Sequence, residues 1–289
     1  MPGPGKPTRR VLACAALILL GACAADVNGP FPALTGDAAA PATDVPLDRT
    51  LRLAAAARGG GDLASAVRLY RRAVERHPEA LRPYIELGDT LHAQGNYHEA
   101  IKTFDAAAAR AEAAGDPRSA ATARTGTGRA LLGLHRPAEA LAPLAAALER
   151  APDHRVARNA RAVALDALGR HGEAQAIYRA LLEANDADAL AQANLGLSLA
   201  IAGDHDAAIA TLDDLVGREN AGARARQNLA IAYALAGDYD AARAVMRADL
   251  GERAVEDNIV YLDTVRGLLA SDDAGTRRQG RRTLNGGAR

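Results

Sequence analysis

Tryptophan is absent from the 289 residues, aromatic side chains make up only 3% of them, and there are 2 cysteines, 2 methionines and no net charge. Each shortage excludes something. Without a supply of aromatic and β-branched residues, the chain lacks the side chains that fill strands, which argues against an all-β or a parallel α/β protein. With 35 Lys and Arg balancing 35 Asp and Glu, no overall field draws nucleic acid or a strongly acidic partner. The apolar run Val11 to Leu20 is ten residues long. That is half of the ~20 that a membrane-crossing helix needs. Alanine is plentiful, in runs such as Ala54 to Ala57 and Ala106 to Ala109, and it is the best helix former. The composition is that of an all-α chain long enough for one large domain or two.

The first 22 residues read as an export leader: Lys6, Arg9 and Arg10 without an acid, the apolar run, then Gly21-Ala22 before Cys23. Leu20-Gly21-Ala22-Cys23 resembles the lipobox of bacterial lipoproteins, which implies cleavage before Cys23 and acylation of its thiol and new amino terminus. The alternatives are a plain secretory cut and an uncleaved anchor. Ala24 following the cysteine implies, by the same resemblance, the periplasmic face of the outer membrane rather than retention at the inner one. Three acyl chains exceed the two signals that stable anchoring takes. Residues 23–46, with Pro30, Pro32, Pro41 and Pro46 and no helical periodicity, read as a flexible tether reaching on the order of 25 Å.

Everything after the tether is organised by a repeat. Ala66, Ala100, Ala140, Ala174, Ala208 and Ala242 are spaced by 34, 40, 34, 34 and 34 residues. Twelve residues before each stands a second small residue: Ala54, Gly88, Gly128, Ala162, Gly196 and Ala230. Between the two columns lie turn pairs such as Gly61-Asp62, Gly95-Asn96 and Gly203-Asp204, where Gly takes the left-handed position and Asp or Asn caps the next helix. Two antiparallel helices approach closely only where both carry small side chains. Larger residues, Tyr70, Phe104, Leu144, Tyr178, Leu212 and Met246, then fill the space to the next hairpin. The pattern predicts six hairpins over 47–256, with units starting near 47, 81, 121, 155, 189 and 223. A capping helix over 257–270 and a disordered arginine-rich tail over 271–289 follow. Three features depart from the repeat. His135-Arg136-Pro137 replaces a Gly turn, Pro143 falls inside a helix, and six extra residues in unit two call for a longer second helix or a bulged turn.

In length, hairpin plan and residue columns this resembles the tetratricopeptide repeat. The resemblance implies an α-solenoid wound as a right-handed superhelix, with the first helix of each unit lining a groove for a protein partner. One groove position reads Asp89, Arg129, Val163, Leu197, Ile231, and another Arg82, Thr122, Val156, Leu190, Arg224. Val156, Val163, Leu190, Leu197 and Ile231 are therefore the candidate docking residues for an apolar helix or strand. The other reading is that these side chains only pack between adjacent first helices.

No chemistry competes with that reading. Seven histidines show no metal-ligand spacing with Cys, Asp or Glu, and there is no HExxH, CxxC, GxSxG or phosphate-binding P-loop. Gly126-Thr127-Gly128 lacks the third glycine of a phosphate loop and lies mid-helix in the register. No catalytic residue, metal or cofactor is expected.

Ala225-Arg226-Gln227-Asn228-Leu229-Ala230, Tyr233-Ala234-Leu235-Ala236-Gly237, Arg247-Ala248-Asp249-Leu250 and Asn258 through Tyr261-Leu262 are similar to the C-terminal part of TadD proteins, lipoproteins of the tight-adherence (Flp) pilus machinery. That resemblance implies a pilotin-like factor that helps a secretin ring localise or multimerise. The alternative is a periplasmic scaffold for polysaccharide export or cell-wall enzymes.

Overall fold

The computed structural model of the chain describes residues 46–218 and 222–286, with side chains through Ser271. The leader, Cys23 and the tether lie outside the described residues. Within them every element is a helix: α1 (Leu47–Gly59), α2 (Leu63–Arg76), α3 (Leu81–Ala93), α4 (Tyr97–Ala113), α5 (Pro117–Gly133), α6 (Pro137–Arg150), α7 (Arg155–Ala167), α8 (His171–Ala184), α9 (Ala189–Ala202), α10 (His205–Val216), α11 (Ala223–Ala236), α12 (Tyr239–Met246) and α13 (Glu252–Gly286). They fall into two compact units that divide inside α7, between Arg161 and Ala162.

In the first unit α1 pairs with α2, α3 with α4, and α5 with α6 as antiparallel hairpins. The small-residue columns set how close each pair comes. Ala66, Ala100 and Ala140 are fully buried, as are Tyr70, Phe104 and Leu144 one helical turn further on. A Cβ on Gly88 would stand 2.6 Å from the Phe104 ring, and one on Gly126 would stand 2.5 Å from the same ring. The ring of Phe104 thus lies between two first helices and touches the bare backbone of both. Gly128 meets Leu144 in the same way, at 2.5 Å. The Gly126-Thr127-Gly128 stretch is accounted for by this packing.

The second unit repeats the plan with α9 on α10 and α11 on α12. Ala174, Ala208 and Ala242 are fully buried, and a Cβ on Gly196 would stand 2.3 Å from Leu212. Helix α9 is covered nearly all round, because α8, α10 and α11 all pack against it. Helix α12 is short. Residues 247–250, which the register assigns to a second helix, form turns instead, with the Leu250 N–H donating to Met246 O at 3.0 Å.

The turns obey the backbone. Gly61, Gly95, Gly169, Gly203 and Gly237 all have positive φ, and His135 holds the same left-handed place at φ 57° in unit three. Asp62, Asp116, Asp188 and Asp238 cap the following helices by accepting a backbone N–H three residues on, at 2.9 to 3.1 Å. Where the cap position holds arginine, a different device appears. Arg136 forks onto Glu139, and Arg170 onto Glu173 at 2.7 Å, so each acid sits in the first helical turn, where the helix dipole favours it.

The six extra residues enter as helix and not as a bulge. Helices α4 and α5 have 17 residues each, against 14 in α2 and 13 in α3, and the turn between them keeps three residues. Unit three therefore begins at Pro117 rather than near 121. Pro143 is accommodated inside α6, which continues through it to Arg150.

The closing helix differs from expectation at both ends. It starts at Glu252 rather than 257, and it runs to Gly286 through the segment whose composition predicts disorder. The chain has no proline after Pro152. Gly275 and Gly280 each cost only about 1 kcal/mol in a helix that α11 and α12 have already nucleated.

Gly196→Ala is expected to lower stability by about 1–3 kcal/mol despite alanine's better helix propensity, because Leu212 has no room to move. The double variant with Leu212→Ala is expected to lose less than the sum of the two single losses in urea denaturation. His135→Gly is expected to raise stability by roughly 0.5–1 kcal/mol by relieving a left-handed non-glycine residue. An unchanged or lower denaturation midpoint would refute that account of the turn.

Candidate docking face

The two columns on the first helices behave differently. At the outer position Arg82 and Arg224 are exposed, and Val156 and Leu190 are 50% and 44% exposed although they are apolar. At the inner position Val163 is half-buried, whereas Leu197 and Ile231 are buried. The reason is local. Leu197 stands on α9, and α11, which carries Ile231, packs directly against it. Of the five docking residues read from the sequence, Val156, Leu190 and in part Val163 present surface. Leu197 and Ile231 spend theirs on the core between neighbouring first helices.

The first unit carries charge on this face. Arg129 pairs with Asp89 at 3.3 Å, and Arg58 with Glu86 at 2.8 Å, while the Tyr70 hydroxyl donates to Glu86 at 3.4 Å. Burial pushes the Asp89 carboxyl above the ordinary carboxylate range, and the nearby guanidinium groups of Arg129 and Arg58 only partly offset it. Burial, with Arg129 adding to it, holds the His92 imidazole below its usual value.

The second unit uses buried neutral groups and one carboxylate. Asp166 accepts from the Ser198 hydroxyl at 2.6 Å and lies 2.9 Å from His171 Nδ1. Tyr178 bonds the same carboxylate, and burial followed by the Asp166 charge pushes its phenol well above the ordinary range. Hydroxyl and imidazole meet the same carboxylate oxygen, and the cluster ties α7, α8 and α9 together. His171, which its place in the first turn of α8 would leave solvated, is buried. Asn228 is 1% exposed and donates to Ala193 O at 3.0 Å, and Gln192 donates to Thr211 O at 3.0 Å and to Asp214 at 2.7 Å. Ser198 within the otherwise apolar Leu195–Ile201 stretch, and Asp166 five residues ahead of His171, are the sequence signals that mark this cluster.

Among the described residues no group of three His, Cys, Asp or Glu is placed to hold a metal ion, and no helix is long and apolar enough to cross a membrane. Cys23, the candidate lipidation site, lies outside the described residues.

Comparison with known proteins adds the family. Tetratricopeptide repeat profiles match residues 51–80, residues 79–153, and, in overlapping copies, residues 125–189, 159–223 and 193–254. Together they span 51–254, well over half of the chain. No curated protein matches it. Among solved structures, the chain is similar to PilW, described as a widely conserved type IV pilus biogenesis factor. The TM-score is 0.59 at 21% identity, covering 70% of this chain and 93% of that one. It is also similar to TTC0263, a thermophilic tetratricopeptide protein of Thermus thermophilus. Here the TM-score is 0.53 at 20% identity, covering 65% of this chain and 98% of that one. At these identities the likeness is one of fold.

Two carboxylates, one in each unit, carry opposite signs of pH dependence. Asp89, raised in the folded state, contributes stability below its unfolded value and withdraws it as pH rises through its folded one. Asp249 is lowered by the Arg226 guanidinium that forks onto it at 2.6 and 2.8 Å, so its contribution is present at neutral pH and lost as pH falls. Asp89→Asn is expected to raise the urea midpoint at pH 7. Asp249→Asn is expected to lower it, with a stability loss of up to about 1 kcal/mol. Both differences should vanish in acid, and shifts of the same sign at pH 7 would contradict the assignment.

Proposed function

The chain belongs to the tetratricopeptide repeat family, and from that premise we propose that it is a non-enzymatic, lipid-anchored scaffold of the outer membrane. In this reading it serves pilus assembly as a pilotin-like factor that docks a secretin or another pilus component. The observation that carries the pilus reading is the TadD-like stretch, whose quoted segments are tied to one another in the fold. Arg226, in the first quoted segment, holds Asp249, in the third, by a two-pronged ion pair, and Ile259 and Leu262 of the closing segment are buried. The shared fold of PilW, itself described as a pilus biogenesis factor, supports the same reading.

The division of labour is simple. Acyl chains on Cys23 supply the address, the tether supplies reach, and the exposed apolar residues of the first helices supply partner contact. Val156 and Leu190 are the docking positions whose substitution leaves the core intact. Nothing in this mechanism requires catalysis.

Val156→Glu and Leu190→Glu are expected to change stability by no more than about 0.5 kcal/mol, since both positions are exposed, while reducing partner capture. Cys23→Ser is expected to release the protein from membranes or leave an unacylated precursor, read as the mass of the purified chain. Mass-spectrometric identification of proteins cross-linked to the wild type in solubilised envelopes then decides the partner. A secretin would support the pilus reading. Recovery of a polysaccharide synthase or a cell-wall hydrolase would replace it with the export or cell-wall scaffold.

A further inference from the structure

The first hairpin differs in charge from those that follow it. Helix α2 carries Arg68, Arg71, Arg72 and Arg76 against Glu75 alone, a net of +3. The later second helices are acidic or neutral: α4, α6 and α8 each hold one more acid than base, α10 holds three acids and no base, and α12 balances. Counted from Leu47 to Arg76, seven arginines stand against Asp48, Asp62 and Glu75. The chain from Cys23 onward nevertheless holds 32 Lys and Arg against 35 Asp and Glu, so the basic character is local to this hairpin.

Two of the seven arginines are satisfied within the array. Arg58 pairs with Glu86 at 2.8 Å and Arg71 with Glu99 at 2.6 Å, both on the second hairpin. Arg49, Arg52, Arg68 and Arg72 are exposed and Arg76 is half-buried, and none of these five makes an ion pair among the described residues. Arg68 donates only to the Ser65 hydroxyl, at 2.6 Å. Steps of four residues place Arg68, Arg72 and Arg76 on one stripe of α2, where like charges a turn apart repel. Folding of the hairpin about Gly61 sets Arg76 level with Pro46, the residue from which the chain enters α1. The unpaired charge therefore extends along the hairpin to the point where the 23–46 segment joins it.

We infer that this face is a second membrane contact, in which the unpaired guanidinium groups of the first hairpin seat on the anionic phosphate headgroups of the leaflet that holds the Cys23 anchor. The inference rests on the lipid-anchored reading, which brings this hairpin to the membrane before any other. Guanidinium groups match phosphate oxygens in geometry as well as charge. A layer of anionic headgroups also relieves the repulsion along the α2 stripe. The second helices that follow, with acids in excess or in balance, have no such attraction.

The test uses the purified mature chain carrying Cys23→Ser, which has no acyl group to insert, in flotation with vesicles of phosphatidylcholine alone or of equal parts phosphatidylcholine and phosphatidylglycerol. Binding is expected only where phosphatidylglycerol is present, and it should weaken as salt is added. Arg68→Gln, Arg72→Gln and Arg76→Gln combined are expected to weaken it on the order of a hundredfold, about fivefold for each arginine. Lys102→Gln, Arg179→Gln and Arg253→Gln combined remove the same charge at three exposed positions on other helices and should leave binding unchanged. Unchanged helicity and melting check that both variants fold. A parent that does not bind overturns the inference, and so does equal weakening by the two triple variants, which would make net charge the cause. If a non-binding parent gains binding on Asp26→Asn, Asp37→Asn and Asp44→Asn, the face belongs to the chain's own 23–46 segment and the inference is likewise overturned. No step uses the acyl group, so failure here leaves the anchor standing, and failure of the anchor is read separately as an unmodified mass at Cys23.

Discussion

Everything in the array depends on how closely the first helix of each hairpin approaches the large side chain that faces it. At positions 88, 128 and 196 glycine concedes about 1 kcal/mol of helix propensity relative to alanine. It is nonetheless the residue the packing demands, because a methyl group would stand 2.3 to 2.6 Å from Phe104, Leu144 or Leu212. Overpacking on that scale outweighs propensity. The same contact sets the distance to the next hairpin, as the Phe104 ring between Gly88 and Gly126 shows. One steric requirement therefore fixes both the hairpin and its neighbour, and it recurs with the repeat.

That requirement is also why so much of the fold is legible in sequence. A crossing that admits only Gly or Ala writes a column every 34 residues, and a turn that needs a left-handed residue writes Gly beside it. Where the chemistry admits substitutes, legibility fails. His135 takes the left-handed place at a modest cost, and Arg136 and Arg170 hold the capping position through an acid three residues on. Neither device is visible from residue type alone. Helix ends are blurred for a related reason: residues 247–250 and 271–286 have compositions compatible with helix or coil, so what adjoins them decides.

The candidate docking face was only partly legible, because exposure at a helical position is a property of the neighbouring helix. Leu190 and Leu197 are the same residue type on the same helix, seven residues apart, yet one is 44% exposed and the other is buried. What separates them is how the neighbouring helices, α11 among them, pack along α9. A periodic pattern identifies the face but not how far along it the next helix reaches. The Asp166 cluster escaped for a complementary reason. Its members come from three helices and meet only once those helices pack.

A repeat array inherits a difficulty from its own construction. The surface that lets one hairpin accept the next is present on the last hairpin too, and a chain can cover it with polar residues, bury it under another segment, or leave it to a partner. Here α13 buries the outer surface of the sixth hairpin with Val255, Ile259, Leu262 and Val265, then presents Val260, Tyr261 and Leu268 outward. The cap moves the exposed face outward by one helix without removing it.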